Sequence, residues 1–267
     1  MVAKSPHQHI HFTRTGSGPA VILLHGLFGN GANLGALARA LAADYSVYSL
    51  DLPNHGRSAW MADGSLAFMA RAVDDWMKQA ALESAAIIGH SLGGKVGMEL
   101  ALNEPRRVKA LVVADIAPVA YPAHHDEVFA ALAAVHAAGV RSRAEAAGLM
   151  ADHLREDGVI QFLLMSLTRN DDGCYTWRFN LEGLRRDYSA LRAAPDIMHA
   201  YEGPVLFIKG GDSDYILPQH RATVLALFPA ADLKVMPGCG HWLHAEHPGV
   251  FNGIVRRFLQ HSLSGGE

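Results

Sequence analysis

Six short runs of apolar residues, each closed by residues that helices avoid, constrain the fold more than any other feature of this chain. They are Ala20–Leu24, Tyr45–Leu50, Ala85–Ile88, Ala110–Ala114, Pro204–Ile208 and Leu233–Met236. Their apolarity is continuous rather than alternating, which is the pattern of strands buried on both faces, as in a parallel sheet. Between them lie Ala- and Leu-rich stretches with helical spacing, such as Leu34 to Ala42 and Leu66 to Leu82. Strand and helix in repeated alternation predict an α/β fold with a mostly parallel, doubly wound sheet. The segment His9–Thr13 does alternate, and predicts an antiparallel strand at one edge.

One interval breaks the rhythm. From Ala120 to Glu202 only helical signals occur, at Glu127 to His136, Ala144 to Leu154 and Val159 to Leu167. This reads as a helical cap, residues 120–202, inserted into a core made of residues 1–119 and 203–267. With 267 residues, 50% of them hydrophobic and 18% charged, there is ample material for one large packed unit. A net charge of −3 speaks against a nucleic-acid footprint or a polybasic membrane patch. No run approaches the roughly 20 apolar residues of a membrane span. The start has no apolar segment of the signal-peptide kind. Two cysteines, Cys174 and Cys239, are too few for a disulfide framework and lack metal-ligand spacing. These features predict a soluble, cytoplasmic protein.

The chemistry concentrates at Gly89-His90-Ser91-Leu92-Gly93, directly after one predicted strand and before a helical stretch from Gly94 to Leu102. G-x-S-x-G between strand and helix makes a sharp turn that exposes the serine hydroxyl at the carboxyl end of the sheet. The N–H of Leu92, at the helix start, then points to the same spot and can stabilise an oxyanion. A glycine-rich turn that only packs helix on strand is the blander alternative. A serine needs a base. Of 16 histidines, His241 follows the last predicted strand and so reaches the sheet edge that carries Ser91. His244 and His247 read as surface or capping residues, and His25 and His90 as structural hydrogen-bonding groups. His7, His9 and His11 form one face of the edge strand without a carboxylate to complete a metal site. The loop His25–Asn30 follows the first core strand and offers the N–H of Leu27 as a second oxyanion donor. That loop matches neither glycine-rich phosphate-binding pattern.

From about Phe12 to Leu259 the chain resembles the α/β-hydrolase superfamily, and within it the small bacterial esterases of the YbfF type. The matching stretches are His25–Gly29, Asn54–Gly56, Gly89–Lys95, Asp115–Pro118, Trp177–Asn180 and Gly240–Trp242. The resemblance implies hydrolysis of carboxylic esters, with acyl thioesters such as acyl-CoA also in range. It places a helical cap between the sixth and seventh core strands, and implies Ser91 as nucleophile and His241 as base, with no cofactor or metal. The acid that orients His241 stays open between two residues. Asp115 matches the position used by YbfF-like esterases, and Asp214 the position usual for the superfamily. In those relatives the later loop resembles G-G-N-S and lacks a second acid, whereas this chain carries both carboxylates.

Phe28, Trp177, Phe179 and Trp242 are the candidate substrate-binding residues, and Phe129, Phe162 and Met165 belong to the same aromatic and Met-rich set, which could equally be packing. The turn Asp51–Ser58 reads as structural, and His124-His125-Asp126 as a helix cap rather than a ligand cluster. A serine nucleophile argues strongly against the aspartate-based dehalogenases and epoxide hydrolases. Lactonase, perhydrolase and carbon–carbon hydrolase chemistry, or a ligand receptor on the same fold, are the alternatives to an esterase. The expected partner is a small ester or thioester, not a nucleic acid or a membrane.

Overall fold

The computed structural model describes residues 10–263. The chain enters through strand β1 (Phe12–Thr15) and continues into β2 (Ala20–Leu24), helix α1 (Gly35–Leu41) and β3 (Ser46–Leu50). Helix α2 (Leu66–Gln79) then leads to β4 (Ala85–His90), α3 (Leu92–Asn103) and β5 (Val108–Ala114). β1 pairs antiparallel with β3, so the expected edge strand is present, although His7 and His9 of its predicted face lie outside the described residues. β2, β3, β4 and β5 are all parallel.

Successive residues of each strand face opposite layers, so a continuous apolar run supplies two cores at once. Val21, Leu23, Ile88 and Val112 face α1 and the C-terminal helix. Ile22, Leu24, Ile87 and Leu111 face α2 and α3. β4 and β5 pair regularly from Ala86↔Ala110 to His90↔Ala114, while a bulge at Ala85/Ala86 leaves Lys109 unmatched at the far end.

The excursion beyond β5 contains α4 (Asp126–Ala138), α5 (Arg143–Ala151) and α6 (Asp157–Leu164). It is not wholly helical. β6 (Leu167–Arg169) and β7 (Tyr175–Trp177) form an antiparallel hairpin, so the helical signal assigned to Leu167 ends three residues early. Three-residue strands are too short to leave an apolar run, and their one marker is Gly173, at φ 86°, in the turn. Helices α7 (Leu181–Arg186) and α8 (Tyr188–Leu191) complete the excursion.

The chain rejoins the sheet at β8 (Val205–Gly210), passes α9 (Arg221–Leu227) and β9 (Ala231–Met236), and ends in α10 (Leu243–Glu246) and α11 (Pro248–Leu263). The order across the sheet is β1-β3-β2-β4-β5-β8-β9. The excursion therefore separates the fifth and sixth sheet strands in chain order, one lower than the family resemblance implied, because β1 alone precedes β2. Among the described residues no helix is long and apolar enough to cross a membrane.

Candidate active site

Ser91 occupies the one-residue turn between β4 and α3, with φ 53° and ψ −118°. A non-glycine residue there is strained by about 1–3 kcal/mol and persists only when its surroundings enforce it. They do so through the sheet, since the Ser91 N–H donates to the Ala114 carbonyl at 3.0 Å. The flanking glycines are required by contact. A Cβ on Gly89 would lie 2.1 Å from the Gly93 carbonyl oxygen, and one on Gly93 would lie 2.2 Å from that of Leu24.

One strand over, Asp115 repeats the device. It follows β5 directly, has φ 53°, and its N–H donates to the Ile208 carbonyl at 2.8 Å. Its carboxylate is wholly buried and takes three donors. The Gly210 N–H meets Oδ1 at 2.9 Å, while the Ser213 hydroxyl and His241 Nδ1, the latter at 2.8 Å, both meet Oδ2. Asp214 sits in the adjacent loop on the rim of the same cavity, but it is exposed and among the described residues its carboxylate has no partner. Of the two candidate acids, only Asp115 reaches His241.

His241 is held from three sides. Its ring stacks on Tyr215 with centroids 4.0 Å apart and planes 22° apart. Its carbonyl accepts from His90 Nε2 at 2.8 Å, across 151 residues of sequence. Burial, aided by the neighbouring His244 and His241, pushes His90 well below the ordinary imidazole range, so it acts as a neutral donor. His244 is buried against His90, with ring centroids 4.4 Å apart, and is not the surface residue its sequence context suggested. Burial, with the neighbouring His241 adding to it, pushes His244 down to about 4.

The loop carrying Leu27 is braced by two more buried histidines. His25 donates through Nδ1 to the Gly26 carbonyl at 2.8 Å and accepts the Leu52 N–H at 3.0 Å. His55 accepts the Phe28 N–H at 3.2 Å and donates to the Pro53 carbonyl at 2.9 Å. Burial, then the nearby His25, pushes His55 down to about 3, which keeps its accepting nitrogen free of a proton. The turn 51–58 is structural in the same sense, for Asp51 accepts the N–H groups of Gly31 and Arg57. The scaffold leaves two amides over. Among the described residues, neither the Leu27 N–H nor the Leu92 N–H has an acceptor.

Ser91, Leu27 and His241 open into a cavity of about 980 Å³, walled by Phe28, Val119, Val128, Val159, Phe162, Leu163 and Trp242. Trp177 and Phe179 do not reach it. They stack on each other 5.3 Å apart, are 3% and 1% exposed, and lie behind Phe28, so the substrate-binding role expected of them is corrected to packing. Phe28 and Trp242 do line it. His124 and His125 make no side-chain cap on α4. They meet Tyr215 and Tyr188 hydroxyls instead, at 2.7 and 2.5 Å, on the cavity wall.

Sequence reasoning missed Tyr215 and Ser213. Ser213 stands where the relatives' G-G-N-S pattern has its serine, which was the available signal. Among the described residues no group of three His, Cys, Asp or Glu could hold a metal. A hydroxyl, a carboxylate-held imidazole and two unpartnered amides around a cavity with an apolar wall can transfer an acyl group.

Comparison with known proteins agrees. Residues 21–254 match the family model described as the alpha/beta hydrolase family. The chain is similar to Esterase YbfF of Escherichia coli, with 41% identity over 240 residues, 90% of this chain and 92% of that protein. It is also similar to the sn-1-specific diacylglycerol lipase ABHD11 of Mus musculus, with 36% identity over 90% of this chain and 81% of that protein. Among solved structures, a marine microorganism esterase superposes with a TM-score of 0.91 at 35% identity, covering 95% of this chain and all of that one.

Proposed function

The chain belongs to the alpha/beta hydrolase family and hydrolyses carboxylic esters, and we propose that it does so through an acyl-enzyme on Ser91. Ser91 Oγ attacks the acyl carbon as His241 Nε2 takes its proton. The negative charge that develops on the carbonyl oxygen rests on the Leu27 and Leu92 amides. When the intermediate collapses, the bond to the alcohol breaks and His241 returns the proton to the leaving oxygen. Water then attacks the acyl-serine with the same base accepting its proton, and the acid leaves as Ser91 recovers its hydrogen. Asp115 keeps the Nδ1 proton in place throughout, so that Nε2 is the basic nitrogen.

The observation that carries this reading is the 2.8 Å contact between His241 Nδ1 and a fully buried Asp115, at the edge of the cavity that also holds Ser91. Residues 120–202 act as the cap, because Val128, Val159, Phe162 and Leu163 supply one wall of that cavity. The substrates are small esters, with thioesters included, since both pass through the same oxyanion. A p-nitrophenyl ester tests the mechanism. A burst of one nitrophenolate per chain followed by steady turnover is expected; stoichiometric binding with no release would instead mark a receptor.

A further inference from the structure

Helix α3, whose first turn supports Ser91, carries a lysine in a buried stretch. Every residue from Leu92 to Leu102 is buried, and Lys95 is only 2% exposed. Its ammonium donates to three backbone carbonyls, those of Val119 at 2.8 Å, Arg192 at 3.0 Å and Ala193. An ammonium has three hydrogens, and all three are used. Val119 lies where the chain leaves the core for the excursion, and Arg192 and Ala193 lie where it returns. The two stalks are also tied to each other. The Tyr121 N–H donates to the Arg192 carbonyl at 2.9 Å, and Arg192 Nη1 donates to the Tyr121 carbonyl at 2.6 Å.

Two further contacts extend the arrangement. One turn along α3, Glu99 accepts the Asp196 N–H at 2.7 Å, a second anchor for the returning stalk. The Lys95 ammonium also lies 4.9 Å from the ring of Tyr121, whose hydroxyl donates to the Tyr215 carbonyl at 2.5 Å. Tyr215 is the residue stacked on His241. The same ammonium is therefore joined to the cavity wall at Val119 and, through Tyr121, to the partner of the imidazole.

We propose that Lys95 is a positioning residue that clamps both stalks of the excursion onto the helix behind Ser91 and so fixes the wall of the acyl cavity. The substrate-side consequence rests on the esterase reading, while the clamp itself does not. Removing the ammonium leaves the Val119 and Ala193 carbonyls without a donor and the Arg192 carbonyl with only the Tyr121 N–H, and the stalks, not the core, then open.

The test uses the full chain, limited trypsin digestion read by mass spectrometry, and two esters. The Arg192–Ala193 bond, whose flanking carbonyls the ammonium holds, is a trypsin site at the clamp. Cleavage after Arg256, in α11 of the core, is the internal reference. Lys95→Met is expected to speed cleavage after Arg192 at least ten-fold relative to Arg256. It should raise KM for p-nitrophenyl dodecanoate at least ten-fold while kcat for p-nitrophenyl acetate changes less than three-fold. Cleavage at both sites rising in parallel would mean general destabilisation and would overturn the clamp. So would an unchanged ratio, and an unchanged KM would overturn its link to the cavity. Should Lys95→Met not fold, Lys95→Gln, which keeps two donors, carries the same measurements: an intermediate ratio supports the clamp and a wild-type ratio refutes it. If the wild-type protein turned over neither ester, the esterase reading would fall, and the cleavage ratio would still decide the clamp.

Discussion

The imidazole of His241 lies face to face with the phenol ring of Tyr215, 4.0 Å between centroids and 22° between planes. Asp115 fixes one edge of the imidazole through Nδ1, and Tyr215 fixes its plane. Tyr215→Leu should therefore lower kcat about ten-fold, equivalent to about 1.4 kcal/mol of barrier. Tyr215→Phe, which keeps the ring and loses only the hydroxyl bond to His124, should lie much closer to wild type. Steady-state kinetics on one activated ester checks this, and equal effects of the two substitutions would remove the stack from the mechanism.

The two carboxylates near the site are expected to behave very differently. Asp115→Asn should reduce kcat by about 10⁴, because the amide favours the wrong imidazole tautomer. Asp214→Asn should stay within about three-fold, since Asp214 is exposed and its carboxylate makes no hydrogen bond or ion pair among the described residues. The reverse ordering would return the acid to the loop after β8.

Ser91 combines two properties that substitution can separate. Ser91→Ala and Ser91→Gly should both fall below a thousandth of wild-type turnover, as the nucleophile is lost in each. Glycine alone relieves the backbone strain at φ 53°. The Gly variant is therefore expected to resist urea better than the Ala variant by about 1 kcal/mol, within the range assigned to such residues.

Neutral histidines that are buried, as His55 and His244, or half-buried, as His125, predict a steep loss of stability in acid. His55 and His125 are pushed down to about 3 and His244 to about 4, chiefly by burial. The unfolded chain binds these protons near 6.5, so it gains protons that the folded chain refuses. Stability is full above that value, falls as pH drops through it, and levels only below about 3–4. At pH 5 each contributes about 2 kcal/mol of destabilisation. Urea titrations at pH 7 and 5 should differ by about 6 kcal/mol from these three alone, and His244→Phe should shrink the difference.

Aromatic truncations should sort by layer. Phe162→Ala, on the cavity wall, is expected to shift the preference among acyl lengths with little loss of stability. Trp177→Ala, behind the wall, should cost about 3–5 kcal/mol of stability, in line with emptying a large buried site. Its acyl preference should stay as in wild type. An acyl-length series with parallel thermal melts distinguishes the two.

These distinctions mark where sequence stops being informative. The strands around Ile22, Ile87 and Val112 were legible because burial on both faces needs an unbroken apolar run. Ser91 was legible because its turn needs glycines at fixed offsets. Spacing could not choose between Asp115 and Asp214, as both loops end at one sheet edge and only side-chain direction separates them. Trp177 and Phe179 advertise apolar surface but not depth, so their place one layer behind Phe28 had no sequence marker. Lys95 did leave a signal, one of two charges, with Glu99, in a helix otherwise fit to be buried, but its three acceptors come from Val119 and from Arg192 and Ala193, far apart along the chain.

The bulge between β4 and β5 lies at the end of the ladder remote from Ser91 and Asp115. Both residues follow a matched pair, His90 and Ala114, and the ladder is regular for the whole length leading up to it. The two strands thus work as a vernier: slack is taken up where the scale begins, and the reading at the other end is left undisturbed. A residue added or deleted near Lys109 should be absorbed by redrawing the bulge. The same change between Ile87 and His90 would move the serine one step against the aspartate and turn its side chain to the opposite layer. Length variation in this chain is therefore expected at the amino ends of the central strands and in the excursion, and not in the few residues before Ser91 and Asp115.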